Sequence, residues 1–298
     1  MGKAKRITVS RLSRGAAIGG ALAFLTCSVA VGARPAAAQS SLDPALAFAV
    51  LSGDTLQLDG SSNPPDTLHP TGAVGKVTLG KGAEVGSGDC LSLKKITLKK
   101  DAFVDGVCAT DGGANSVVLK KGASCGGGTN TTPANSSITP LTSYQSLGAT
   151  ACRNPAGVDQ GKLVLDENGT ATITAVSGFQ EFDYSKITLK KSSQLTISGP
   201  SDALVVINDA GALTLDKGSF ITVNGLPANN VLVVAKNVML KKDAELQGTI
   251  FANGTCNLHK DATVDGQLYC AKAATVGVSA NVLGEPLEES VAMGDTCS

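Results

Sequence analysis

The sequence predicts an all-β chain wound as a parallel β-solenoid, and three observations carry that expectation. First, one seven-residue unit occurs seven times: LGKGAEV at Leu79, LKKDAFV at Leu98, LKKGASC at Leu119, LKKSSQL at Leu189, LDKGSFI at Leu215, LKKDAEL at Leu240 and LHKDATV at Leu258. Second, successive anchor leucines lie 19, 21, 26, 25 and 18 residues apart within the two runs, a length that suits one coil of a solenoid. No single coil can bury its own apolar face, so stacking must supply the core. Third, aromatic residues make up 3% of the chain and Trp is absent, so the interior has to be built from Val, Ile, Leu and Ala. The uneven period implies irregular corners and not a strict hexapeptide array.

Each unit has an apolar residue first, Lys third, Ala or Ser fifth and an apolar residue seventh. These apolar and small positions fall at even offsets, as side chains entering one core from strands of period two. The Lys-containing positions mark the corner between two strands, and a nearby Gly supplies the next tight turn.

Taken in order, the chain opens with Lys3, Lys5, Arg6, Arg11 and Arg14, an apolar run from Ala16 to Val31, and Ala36-Ala-Ala before Gln39. That is the order of an export signal, and residues 1–38 are set outside the fold. The segment holds six basic residues and no acid, which leaves 19 Lys plus Arg against 25 Asp plus Glu in the mature chain. An acidic exported domain is not built to bind nucleic acid. Residues 39–280 are read as the solenoid. Its first strands are expected near Ala45–Leu51 and Thr55–Asp59, with a Pro-containing loop at 60–66. Three repeat units at 76–126 then form one end. The pattern breaks at about 127–160 into a loop insertion, in which Leu141–Ala151 has room for one short packed helix. Strands resume at 162–166 and 170–175, residues 186–278 run nearly without interruption, and 281–298 is an acidic tail or cap.

Seven cysteines follow the signal: Cys90, Cys108, Cys125, Cys152, Cys256, Cys270 and Cys297. In an exported chain they predict disulfides and not metal ligands. Neighbouring rungs lie about 4.8 Å apart, within reach of a bridge. An odd count leaves one thiol free or paired between chains.

Two stretches resemble a known family. The block from Asn230 through Gly248-Thr-Ile-Phe-Ala to Ala262-Thr-Val-Asp-Gly-Gln-Leu268, with the opening Phe48-Ala-Val-Leu-Ser-Gly-Asp54, resembles the secreted ice-binding-like β-solenoids. The stretch Leu195–Asn208 is also similar to the "choice-of-anchor A" domains of bacterial surface proteins. The resemblance implies an irregular right-handed β-helix packed beside one α-helix, and a secreted or surface protein.

Chemistry, if any, belongs to surface columns. Lys81, Lys100, Lys121, Lys191, Lys217, Lys242 and Lys260 hold the third position of the units and would stack as a basic edge, able to track an anionic polysaccharide; a soluble, aggregation-resistant corner is the plainer reading. Thr78, Thr97, Thr188 and Thr214 each precede a repeat Leu, and Thr170, Thr172 and Thr174 lie on another strand; either set offers the short side chains an ice surface requires. In the first register Val118, Met239 and Asn257 stand where the other units carry them. No close acid pair with a separate base, no Gly-x-Ser-x-Gly elbow and no phosphate loop is present. His69 and His259 are the two histidines, one in a Pro-rich loop and one at a corner. The chain is therefore expected to be an extracellular or cell-surface structural and adhesive module without catalysis, cofactor, metal or membrane span in its mature part. Its expected partner is an extracellular polymer or surface component, and the alternative is ice binding.

Overall fold

The computed structural model describes residues 48–60, 67, 69–113, 115–131 and 160–284. Its strands pair in parallel throughout, in ladders of three faces that we call A, B and C. The expected short helix at 141–151 lies outside the described residues. Among those described, the one helical piece is a three-residue 3-10 turn, Ala228–Asn230.

Each full coil crosses faces A, B and C in turn, and in some later coils one long strand covers both A and B. In the early coils, face A carries β1 (Val50–Ser52), β3 (Thr71–Ala73), β6 (Cys90–Ser92), β9 (Cys108–Thr110) and β12 (Thr129–Asn130). Face B carries β2 (Thr55–Leu58), β4 (Lys76–Leu79), β7 (Lys95–Leu98) and β10 (Val117–Leu119), and face C carries β5 (Glu84–Val85), β8 (Phe103–Val104) and β11 (Ser124–Cys125). In the later coils the chain enters on face B with β13 (Lys162–Leu165), crosses face C with β14 (Thr170–Thr174), and continues through β15 (Gly178–Tyr184), β16 (Lys186–Leu189) and β17 (Gln194–Ser198). Next come β18 (Ala203–Leu215), β19 (Phe220–Asn224), β20 (Val231–Leu240), β21 (Glu245–Gln247) and β22 (Thr249–Ala252). The stack closes with β23 (Cys256–Leu258), β24 (Thr263–Asp265), β25 (Leu268–Cys270), β26 (Ala274–Val276) and β27 (Asn281–Val282).

The stacking order is not the chain order. Strand β1 pairs with β3 on one side and with β25 on the other, β2 pairs with both β4 and β26, and Thr67 bridges Val85 and Val282. The first coil thus sits in the middle of the stack, against the last coil. From there the chain winds outward to β12 at one end of the stack, and β13 lies at the other end, roughly 40 Å away at about 4.8 Å per rung.

The core is the solenoid lumen, lined by ladders of in-register side chains. Leu98, Leu79 and Leu58 stack on one another from face B, and Leu258, Leu240, Leu215 and Leu189 continue the same column beyond Val276. All are essentially without solvent contact. Burying one such side chain contributes about 1.5–3 kcal/mol, and the ladder repeats it at every rung. Face A is apolar on its outer side as well: Leu51, Leu91, Ala109 and Tyr269 form a second buried cluster with Phe48.

The corner between faces B and C explains the repeat unit position by position. The backbone N–H of the fifth residue donates to the carbonyl of the second: Ala102 to Lys99 at 3.1 Å, Ala123 to Lys120 at 2.9 Å, Ser193 to Lys190 at 3.0 Å and Ala244 to Lys241 at 3.0 Å. The fourth residue of each turn has positive φ, between 57° at Ser192 and 78° at Gly122, which is why Gly, Asp, Ser or Asn occupies it. The fifth is small because it points into the lumen at a tight corner; Ala83, Ala102, Ser193, Ser219, Ala244 and Ala262 are buried. The same turn recurs at Leu165-Asp-Glu-Asn-Gly and Val276-Gly-Val-Ser-Ala, where Gly169 N–H reaches Asp166 O at 2.8 Å and Ala280 N–H reaches Gly277 O at 3.0 Å. Neither carries the third-position Lys by which the unit is recognised.

Among the described residues, two disulfides close coils inside the lumen. Cys108–Cys125 spans 17 residues and Cys256–Cys270 spans 14, each with Cα atoms 6.0 Å apart. Cys90 is a free, buried thiol beside Cys108 in the face A ladder. Burial pushes its pKa well above the ordinary thiol range, and the Asp89 charge acts in the same direction. Cys152 and Cys297 lie outside the described residues.

Candidate functional site

Three outward columns hold the surface chemistry. On the B–C corner, backbone bonds link consecutive turns, from Gly82 N–H to Lys100 O at 3.0 Å and from Asp101 N–H to Lys121 O at 3.1 Å. In the later coils the same link joins Ser192 to Lys217, Gly218 to Lys242 and Asp243 to Lys260. The third-position lysines therefore stack in two runs, Lys81–Lys100–Lys121 and Lys191–Lys217–Lys242–Lys260. Gly60 and Val278 stand between them.

The two runs differ in charge. In the later coils, the second position of the turn alternates in sign from rung to rung: Asp166, Lys190, Asp216, Lys241. Lys190 Nζ lies 2.8 Å from Asp166 and Lys241 Nζ lies 2.6 Å from Asp216. Lys191 reaches Glu167 at 2.9 Å, and Lys242 and Lys260 both approach Asp261 at 3.9 Å. The hydrogen bond from Lys190 holds the Asp166 carboxyl below its usual range, and the same contact raises the pKa of Lys190. Among the described residues the early run has one such contact, from Lys100 to its neighbour Asp101 at 3.6 Å.

On face B, the residue before each repeat Leu points outward. Thr97 pairs with Thr78, and Thr188 with Thr214, so the four threonines fall in one column as two pairs. Between the pairs the column runs through Gln57, Thr275, Asn257 and Met239. The hydroxyl of Thr188 is buried and has no partner among the described residues.

Face C offers a wider array. Strands β14, β17 and β19 pair over five residues each without a register shift, placing Thr172 against Thr196 and Thr196 against Thr222. Around this column the outward positions are Thr170, Gln194 and Phe220 on one side and Thr174, Ser198 and Asn224 on the other. None is charged. Gln194 Nε2 donates to Thr222 Oγ1 at 3.1 Å, and the Thr196 and Thr222 hydroxyls lie 3.5 Å apart. The array ends at β21, which pairs with β19 only at Phe220 and Ile221, while Gln247 Oε1 takes the free Val223 N–H at 2.8 Å. Glu245 and Asp265 then bring charge back to the face. Thr170, Thr172 and Thr174 are visible as candidates in the sequence, but Thr196 and Thr222 are not, because their alignment with Thr172 depends on coils of unequal length.

An open depression at the seam of the first and last coils is lined by Asp59, His259, Lys260, Thr275 and Gly277. Among the described residues no three His, Cys, Asp or Glu side chains gather as a metal site would require, and no helix is long and apolar enough to cross a membrane.

Comparison with known proteins agrees with this architecture. Residues 149–283 match the model of the ice-binding-like family. No curated protein matches the chain. Among solved structures, an ice-binding protein from an Arctic yeast, described for its antifreeze activity, is 16% identical with a TM-score of 0.52; the match covers 81% of this chain and 92% of that one. An ice-binding protein from the Antarctic ascomycete Antarctomyces psychrotrophicus is 18% identical over 82% of this chain and 97% of its own, with a TM-score of 0.47. At such identities the likeness to solved structures is one of fold. The segment that resembles the ice-binding-like family thus contains the uncharged array on face C, and the described solenoid shares its fold with the Arctic yeast protein.

Proposed function

We propose that this protein binds ice through the outer side of face C between Thr170 and Asn224, as an exported protein without catalytic activity. The observation that carries the reading is the contiguous column Thr172–Thr196–Thr222, flanked by uncharged side chains on a sheet of unbroken register. Its positions repeat at about 4.8 Å between rungs and about 6.6 Å between alternate residues of a strand. Such a grid can hold water in fixed places, because water-mediated hydrogen bonds are nearly as favourable as direct ones. β-Branched Thr is stiff at χ1, so little side-chain freedom is lost on binding. Charged side chains would instead keep their own mobile hydration. The family match supports the reading because the matched segment contains the whole array.

Export is supported by the signal-like residues 1–38 and by two lumenal disulfides, which persist in oxidising compartments. The test is thermal hysteresis with imaging of ice crystals. The wild-type protein should shape ice, and Thr196→Tyr, which places a bulky ring at the centre of the array, should abolish shaping while leaving the melting temperature nearly unchanged. Round crystals with the wild-type protein would sink the proposal.

A further inference from the structure

The early coils carry a second surface that the ice-binding reading does not use. Across face B, Lys76 and Lys95 are in register at the start of their strands, and Lys99, Lys100, Lys120 and Lys121 follow at the corner where those strands end. Four residues separate Lys95 from Lys99, so the two basic flanks stand about 13 Å apart. Between them the floor is Thr78, Thr97 and Val118, small and uncharged. Among the described residues Lys76, Lys95, Lys99, Lys120 and Lys121 form no ion pair; only Lys100 meets an acid, its neighbour Asp101. Asp54 and Asp59 lie on the adjoining first coil, and Asp111 lies at the corner that leads into face B, one rung beyond the turn before Lys95.

The later coils show that this excess is not a property of the repeat. There the same turn alternates Asp166, Lys190, Asp216 and Lys241 on successive rungs and closes two short ion pairs. Stacked like charges about 4 Å apart cost about 1 kcal/mol each even in water. One half of the solenoid removes that cost by alternation of sign, and the other half retains it.

We propose that the trough on face B between Lys76–Lys95 and Lys99–Lys121 binds a carboxylated polysaccharide, its chain running along the stack so that successive uronate groups meet lysines on successive rungs. The trough is one extended chain wide. It offers Lys point charges and Thr hydroxyls, and neither the Arg forks nor the exposed aromatic rings that nucleic-acid surfaces employ. This proposal is independent of ice binding, which uses another face at the other end of the stack.

The test is binding of the purified protein to polygalacturonate at low and high salt, with dextran as the uncharged control. Binding at low salt, lost at high salt and absent for dextran, is expected. Lys95→Gln/Lys99→Gln/Lys120→Gln should weaken it about tenfold or more and flatten its salt dependence, while Lys190→Gln/Lys217→Gln/Lys241→Gln should change it less than about twofold. In the unmodified protein, polygalacturonate should also protect Lys95 and Lys99 from acetylation while Lys190 stays reactive. No binding at low salt, equal losses in the two triple variants, or displacement by duplex DNA at equal charge concentration would overturn the proposal.

Discussion

The coils of residues 76–125 and those of residues 162–265 are built from one turn and one lumen, yet present opposite surfaces. Both bury a Leu ladder, both place a residue of positive φ at the fourth position, and both expose lysines at the corner. The later coils neutralise those lysines with Asp and Glu from neighbouring rungs and widen face C into strands of five residues. Among the described residues, the early coils give those lysines one acid contact, Lys100 to Asp101, and hold face C to strands of two. A solenoid thus fixes what points inward at each rung, while each outward column varies without cost to the core.

The largest effect should ignore this division. Leu98→Ala and Leu189→Ala each empty a fully buried place in the same ladder and should each cost about 2–5 kcal/mol in denaturant unfolding. Markedly unequal costs would show that the two halves do not share one core. Next in size, Asp101→Val and Asp243→Val force a β-branched residue to φ near 59° and should each cost about 1–2 kcal/mol, with Gly at either position tolerated.

The smallest effect should separate the halves. The bond from Lys190 depresses the Asp166 carboxyl, so the stabilisation it gives is present above the ordinary carboxylate pKa and is lost as pH falls through the folded-state value. Asp166→Asn should therefore lower the unfolding midpoint at neutral pH and converge with wild type in acid. Lys99→Gln, at the same position of a turn where that residue meets no acid among the described residues, should show no such convergence. A matching pH dependence in both variants would remove the electrostatic distinction.

Much of the fold is legible in the sequence because a lumen imposes the same local demands on every coil. Leu at the first position, Ala or Ser at the fifth and the third-position Lys mark seven corners without any coordinates. Corners at Leu165 and Val276 do not match the repeat unit, although the Glu-Asn-Gly turn after Asp166 is readable, because they meet the same φ requirement with Asn168 and Ser279 and place Glu167 and Val278 where the others have Lys. The order of stacking is not legible either. Nothing local to Val50–Ser52 distinguishes Leu268–Cys270 from any other partner strand, since the backbone groups of a parallel ladder are alike on every rung. The column of Thr78, Thr97, Thr188 and Thr214 is readable because it stands next to an anchor Leu, although the sequence does not show that the first coil separates its two pairs. Thr196 and Thr222 stand seven residues after their anchors, beyond the turn, where only the paired register aligns them with Thr172.

The most direct measurement is adsorption of fluorescently tagged protein to single-crystal ice, comparing Thr172→Tyr/Thr196→Tyr/Thr222→Tyr on face C with Thr78→Tyr/Thr97→Tyr/Thr214→Tyr on face B. Loss of ice-bound fluorescence in the first variant and retention in the second is the predicted result. Retention in the first, with loss in the second, would place the ice-binding surface on the wrong face and contradict the account.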